Sequence, residues 1–472
     1  MYVNQIHAVV TNESLPFPAS RSQQNARKRP RRTRWPDLIR RTAAQSDCTY
    51  PPLLVVKRLQ ILQAPSPRRS FHIARKAPAH AVHEFGQVCC AGQLSFLSRS
   101  GIVIFHYNID FQLGLATWFP LVTNLSCMVD FFFMLSGFVI VHGYRSRFGS
   151  AREYGEFLLA RWARVYPLHV LILACYLVLI AIAHLLHVQP NHPEILALSG
   201  LPVNLLLVQA WGFLDHPSFN VPSWSISAEW FVYLLAPAVF AIVRRVSLAF
   251  SMLCTLLMVA AMIAVHNALG AQDWMDLTYQ FGMLRALPSF FAGAAIAEAI
   301  CNGQLRGKPS WWTVHALAAS ALVVLSLDVR RELVLPVFCS LIAFAALADA
   351  RGVPSVMKSQ VLLVLGESSY ALYMSHVLVS VPFWWRAASA SDRDPWTFAF
   401  AFASFWITIV LSLLSYRYFE RPMRRDCQES CVWGHSRTAG GGLWRSRRAH
   451  WTNCCRDAIR RRFFPRMACS MS

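Results

Sequence analysis

The chain has 472 residues, 55% of them hydrophobic and only 15% charged, a balance that a water-soluble domain of this size would not carry. Its formal charge of +21 at pH 7 does not mark a nucleic-acid binder, because the excess sits in two terminal arms and in short loops between apolar segments. What remains is an all-α, polytopic membrane protein, with the lipid bilayer as its first partner.

Residues 1–94 are rich in Arg, Pro, Ser and His and carry a cluster from Arg27 to Arg32. They show no sustained helical period and no signal-peptide core, so they are predicted to be a disordered basic arm. Residues 426–472, with Gly440, Gly441 and Gly442, are predicted to be a similar tail. Translation from a wrong start or a shifted frame would account for both compositions. Eight of the 13 cysteines lie in these arms and five are scattered singly in the body. No pair in the body has metal-ligand spacing, and the adjacent Cys89–Cys90 and Cys454–Cys455 are not the spaced pairs of a zinc site, so neither a metal site nor a disulfide framework is predicted.

The body, residues 95–425, holds apolar segments at 100–120, 125–144, 165–187, 223–243, 247–266, 280–300, 311–328, 332–350, 361–385 and 396–416. Most match the thickness of a hydrocarbon core, which predicts about ten transmembrane helices. Residues 201–213 are too short to cross and read as interfacial or re-entrant. Fifteen basic residues, among them Arg145, Arg152, Arg244, Arg306 and Arg421, fall in one set of connections, against Arg330, Arg331, Arg386 and Arg393 in the other. The positive-inside rule places the first set, and both termini, in the cytoplasm.

Polar residues inside this body fall into short strings. His106 lies in the first span, and an imidazole can take a proton from a hydroxyl. Asp130 heads a greasy run, and a carboxylate there needs a partner or a hydrated cavity. His106 and Glu229 are its candidate partners. Ser136 and Gly137, in the same run, suit close helix packing. Arg161 and Arg164 share a helix face at the expected cytoplasmic entrance of the third span, where they could meet phosphates. Trp224, Ser225 and Glu229 follow a Pro-containing helix start, which puts Glu229 inside the span. Ser369, Tyr373 and His376 fall on one helical face. Glu420, Arg421 and Pro422 mark the last interface.

Taken in order, FHY, VDFFFMLSGF, RxxRVYP, NxPSWSxSxE, LGxxSYxLYxxH and ERP, spread from Gly101 to Arg425, resemble the membrane-bound acyltransferase 3 family, whose members O-acylate bacterial polysaccharides, lipopolysaccharide and Nod factors. The resemblance implies about ten transmembrane helices in a bacterial inner membrane and transfer of an acyl group, commonly acetyl, from a cytoplasmic donor to a carbohydrate hydroxyl. It makes His106 the first candidate for proton transfer, with Asp130 and Glu229 as further catalytic candidates. Arg161 and Arg164 become the donor-binding pair, and Trp224, Ser225, Ser369, Tyr370 and His376 the supporting residues. No cofactor is implied beyond acyl-CoA as co-substrate.

The family pattern has an arginine eleven residues before the histidine. Here that position is Ser95, and Arg99 lies seven before. Both spacings return to nearly the same helix face, but four residues shift the guanidinium about 6 Å along the axis. Either Arg99 serves one turn nearer, or a frame change has altered the start of this helix. Two other readings of the same polar residues are a transporter of a polar envelope precursor and an inactive, degenerate member of the family. The acyl group, the acceptor sugar and the oligomeric state are left open by the sequence.

Overall fold

A computed structural model describes residues 89–423, apart from 146–147, 188–191, 269–272, 328, 351–358 and 389–395. Both predicted arms lie outside the described residues except for positions 89–94, which are helical. Ala91, Gln93 and Leu94 are buried, so the arm ends earlier than residue 94 and this stretch belongs to the bundle.

Ten long helices carry the fold: α1 (Cys89–Asp110), α2 (Met128–Tyr144), α3 (Ala151–Leu185), α4 (Trp224–Val243), α5 (Leu248–Ala268), α6 (Gly282–Cys301), α7 (Trp311–Ser326), α8 (Val334–Asp349), α9 (Gln360–Ala388) and α10 (Trp396–Ser415). Each falls on a predicted apolar segment, and eight are long and apolar enough to cross a membrane. The exceptions are α1, with its polar residues, and α7, whose 16 residues span about 24 Å.

Two boundaries differ from expectation. The first helix ends at Asp110 rather than near residue 120, because Gln112 (φ 50°) and Gly114 (φ 62°) take left-handed conformations. The Asn108 side chain then accepts from the Leu115 N–H at 2.8 Å. The chain re-enters through a short helix, Leu115–Trp118, and a 3₁₀ segment, Pro120–Cys127, that runs into α2. The third helix begins at Ala151 rather than 165. Ser150 caps it by accepting from the Glu153 N–H at 3.2 Å, a Ser-x-x-Glu start that gives the helix about four extra turns before its apolar run.

Tight crossings set the register of the bundle. A Cβ on Gly137 would meet the Phe290 carbonyl oxygen at 2.0 Å, and one on Gly293 would meet that of Met134 at 1.8 Å. The backbones of α2 and α6 therefore touch at reciprocal glycines, the small-residue packing that membranes favour. A second such point joins α1 to α9, where a Cβ on Gly366 would lie 2.6 Å from the Gly92 carbonyl carbon. The rim is lipid-like instead: α5 buries only Ser251 and Val259 and exposes Leu253, Leu256 and Leu257. Between α3 and α4, Leu201–Leu205 forms one short helix followed by turns. This agrees with a non-spanning segment.

Candidate active site

A narrow cleft, with room for about one water molecule, lies where α1, α2, α4 and α9 meet, and Arg99, Phe132, Ser225, Glu229 and Tyr370 are among its walls. Arg99 is 4% exposed and donates to the Ser369 hydroxyl at 2.7 Å. Its guanidinium stacks 4.4 Å from the Phe132 ring and 5.8 Å from that of Tyr370. The arginine seven residues before His106 thus reaches the polar centre despite its shorter spacing.

Opposite it, Glu229 accepts from Ser136 Oγ at 3.0 Å and from the Tyr233 hydroxyl. One carboxylate oxygen is fixed by both, and the group is buried beside a guanidinium. Ser136 is therefore not merely a packing notch: Gly137 makes the close approach, while Ser136 holds the carboxylate. Ser225 donates to Tyr373 Oη at 2.8 Å, and the Tyr373 hydroxyl donates to the Pro222 carbonyl at 2.9 Å. Tyr370 donates to the Val165 carbonyl at 2.6 Å, tying α9 to α3.

His106, 7% exposed, stands two turns along α1 from Arg99. Its ring centroid is 5.1 Å from that of His376 on α9. Ser369, Tyr373 and His376 share the face predicted for them: Ser369 and His376 meet Arg99 and His106 on α1, and Tyr373 meets Ser225 on α4. Tyr107, the next residue, pins α1 to α10 through Ser404 (2.9 Å) and Thr408 (3.1 Å).

Asp130 does not join this group. Arg285 on α6 takes its carboxylate at two points, Nε to Oδ1 at 3.2 Å and a terminal nitrogen to Oδ2 at 2.6 Å. The same guanidinium donates to the Ser126 carbonyl at 3.1 Å and lies 5.3 Å from the Trp224 ring. The candidate partners His106 and Glu229 are thereby corrected to Arg285, and Trp224 belongs to this ion pair rather than to the cavity. Both charges are buried, so the pair satisfies in protein the cost that a lone carboxylate would meet in lipid.

Arg161 and Arg164 also depart from expectation. Because α3 starts at Ala151, they lie some three to four turns along it, about 15–20 Å from its beginning. Arg161 is 3% exposed. It donates to Tyr144 Oη at 3.0 Å and packs over the rings of Tyr144 and Tyr233 at 5.0 Å and 5.9 Å. Arg164 is half-buried, so the two do not form an open clamp together.

Arg285 and Tyr233 escaped the sequence reading, as did the contacts of Tyr107 and the pairing of Arg145 with Glu298 (3.0 Å) at the other end of α2 and α6. For Arg285 a signal was present, since a second intramembrane charge of opposite sign to Asp130 is the partner the bilayer demands. For the tyrosines there was none, because an amphipathic ring in an apolar helix looks the same whether or not its hydroxyl is bonded.

Comparison with known proteins finds the acyltransferase domain of the acyltransferase 3 family matched over residues 97–417. The chain is 30% identical over 303 residues, 57% of this chain and 72% of the relative, to the acyltransferase MdmB of Streptomyces mycarofaciens. It is 53% identical over 47 residues, 10% of this chain and 25% of the relative, to protein 2 in the picA locus of Rhizobium radiobacter. No solved structure matches.

Proposed function

Because the chain belongs to the acyltransferase 3 family, we propose that it transfers an acyl group, expected to be acetyl, from an acyl-CoA donor to a hydroxyl of a cell-envelope or exported carbohydrate. It is a multi-pass membrane acyltransferase; donor, acyl group and acceptor are the proposed parts. The observation that carries the reading is the cavity in which Arg99 faces Glu229, with His106 two turns further along the Arg99 helix.

In this reading His106 accepts the proton of the acceptor hydroxyl as its oxygen attacks the thioester carbonyl. The carbon–oxygen bond forms, the carbon–sulfur bond breaks, and the proton goes on to the departing thiolate. Arg99 spends one of its five N–H donors on Ser369, and the guanidinium charge favours an anionic group of the donor on its side of the bundle. Glu229, fixed by Ser136 and Tyr233, balances the guanidinium and holds it in place. Arg161 orders α2 and α3 through Tyr144, and Arg164 meets the donor phosphates. Asp130 acts through Arg285 as a positioning residue.

Ile102, Val129 and Ile226 add apolar walls to the cleft. With the Arg-rich connections in the cytoplasm of a bacterial inner membrane, Arg99 lies nearer the donor side and His106 nearer the outer face. Membranes from a host expressing the chain should move radiolabelled acetyl from acetyl-CoA to the host glycan, and His106→Ala should abolish the transfer. Transfer that survives this substitution would overturn the assignment of the base.

A further inference from the structure

We propose that His376 is the positioning residue for His106: its Nε2 accepts a hydrogen bond from the His106 imidazole and so holds that ring in one tautomer during proton transfer. The inference rests on the reading of His106 as the base.

The two rings are 5.1 Å apart and tilted by 45°, and His376 is fully buried. His376 Nδ1 lies 2.6 Å from the Tyr373 carbonyl oxygen. A carbonyl only accepts, so Nδ1 carries the proton. A second proton on Nε2 would create a buried cation, and Nε2 has no hydrogen-bond partner among the described residues to compensate it. Nε2 therefore presents a lone pair within a packed interior, where unmatched acceptors are rare.

The surroundings hold this arrangement still. The Tyr107 hydroxyl is 3.3 Å from the His376 carbonyl oxygen and is shared with Ser404 and Thr408. The backbone at 106–107 is thus fixed against the helix that carries His376, which keeps the two rings side by side. When His106 takes the hydroxyl proton, the charge it gains is met by that acceptor; when the proton leaves to the thiolate, both rings return to neutrality. No atom of His376 enters the bonds made or broken.

Two substitutions separate this role from simple packing. His376→Asn keeps an N–H donor for the Tyr373 carbonyl but ends short of Nε2, whereas His376→Gln can set a carboxamide oxygen near the Nε2 position. Expected are a kcat about 100-fold lower for His376→Asn with KM changed less than about threefold, and a kcat within about tenfold of wild type for His376→Gln. A kcat for His376→Asn equal to that of the unaltered chain overturns the proposal. Should both variants fail to fold, ¹⁵N-histidine magnetic resonance on the unaltered full chain with acetyl-CoA decides. An N–H···N coupling between two imidazoles, lost in His106→Gln, is expected, and its absence overturns the proposal. An inactive His106→Ala beside a fully active His376→Asn sinks only this inference, while an active His106→Ala sinks the reading beneath it.

Discussion

Asp130 and Arg285 are 155 positions apart in the chain, yet their side chains, 0% and 2% exposed, form a two-point ion pair between α2 and α6. Removing one member leaves the other charge buried without compensation. Arg285→Met or Asp130→Leu alone should cost about 3–5 kcal/mol, and the double variant should recover much of that loss. Denaturant titration of the detergent-solubilised protein measures this; an Arg285→Met variant as stable as wild type would contradict it.

The reciprocal glycines of α2 and α6 make a steric prediction. Gly293→Ala puts a methyl group at 1.8 Å from the Met134 carbonyl oxygen, which the backbone must move to relieve. The variant should lose its folded, monodisperse form in detergent. Gly143→Ala, on the same α2 and with nothing within 4 Å of the added carbon, should fold normally and gain up to about 1 kcal/mol of helix propensity. Size-exclusion chromatography and thermal melts compare the two.

Glu229→Gln preserves the shape beside Ser136 and Tyr233 and removes the charge facing Arg99. Acyl transfer should fall by about 100-fold, with the melting temperature lowered less than by Arg285→Met. Tyr233→Phe, which deletes one of the two donors to the carboxylate, should give a smaller loss. Initial rates with acetyl-CoA in membrane vesicles test the order.

Outside the spans, the connection before α6 is clamped to the start of α8. Arg331 donates to Asp276 at 2.9 Å through both terminal nitrogens and lies 2.7 Å from Asp273. Burial works to raise the Asp276 pKa, but the hydrogen bonds and charge of Arg331 outweigh it and hold the carboxyl below its ordinary value of 3.8. The clamp's contribution is therefore complete above about pH 4 and is lost as pH falls through the lower, folded value. Melting curves should show no change from this pair between neutrality and about pH 5. In Asp276→Asn the acid-labile part below pH 4 should be missing.

The ten helices were legible because hydropathy over some twenty residues is a local property. Their ends were less so. Residues 111–120 remain apolar where the helix has already stopped at Asp110, and the start of α3 depended on Ser150 and Glu153, which precede its apolar run. The stripe of Ser369, Tyr373 and His376 could be read from its spacing alone, since helical geometry puts the three on one side whatever faces them. The intramembrane charge of opposite sign hinted at Arg285, but its contact with Asp130 depends on a crossing fixed by Gly137 and Gly293, far apart in the chain. Arg161 and Arg164 were read as a pair from their three-residue offset, but the bundle buries one among tyrosines and leaves the other half-covered.

The spacing between Arg99 and His106 is seven residues, and so is that between Ser369 and His376, the groups they face. Two helices lying side by side thus act as matched rulers, with marks about 10.5 Å apart on each and a common zero where Gly92 abuts Gly366. Adding or deleting a single residue between Arg99 and His106 would turn one mark by about 100°, so that only one of the two contacts could be kept. A whole added turn would restore the angle but carry the guanidinium toward Leu365, past the hydroxyl that now receives it. The length of this helical interval is accordingly bound to the partner helix, and neither can change alone.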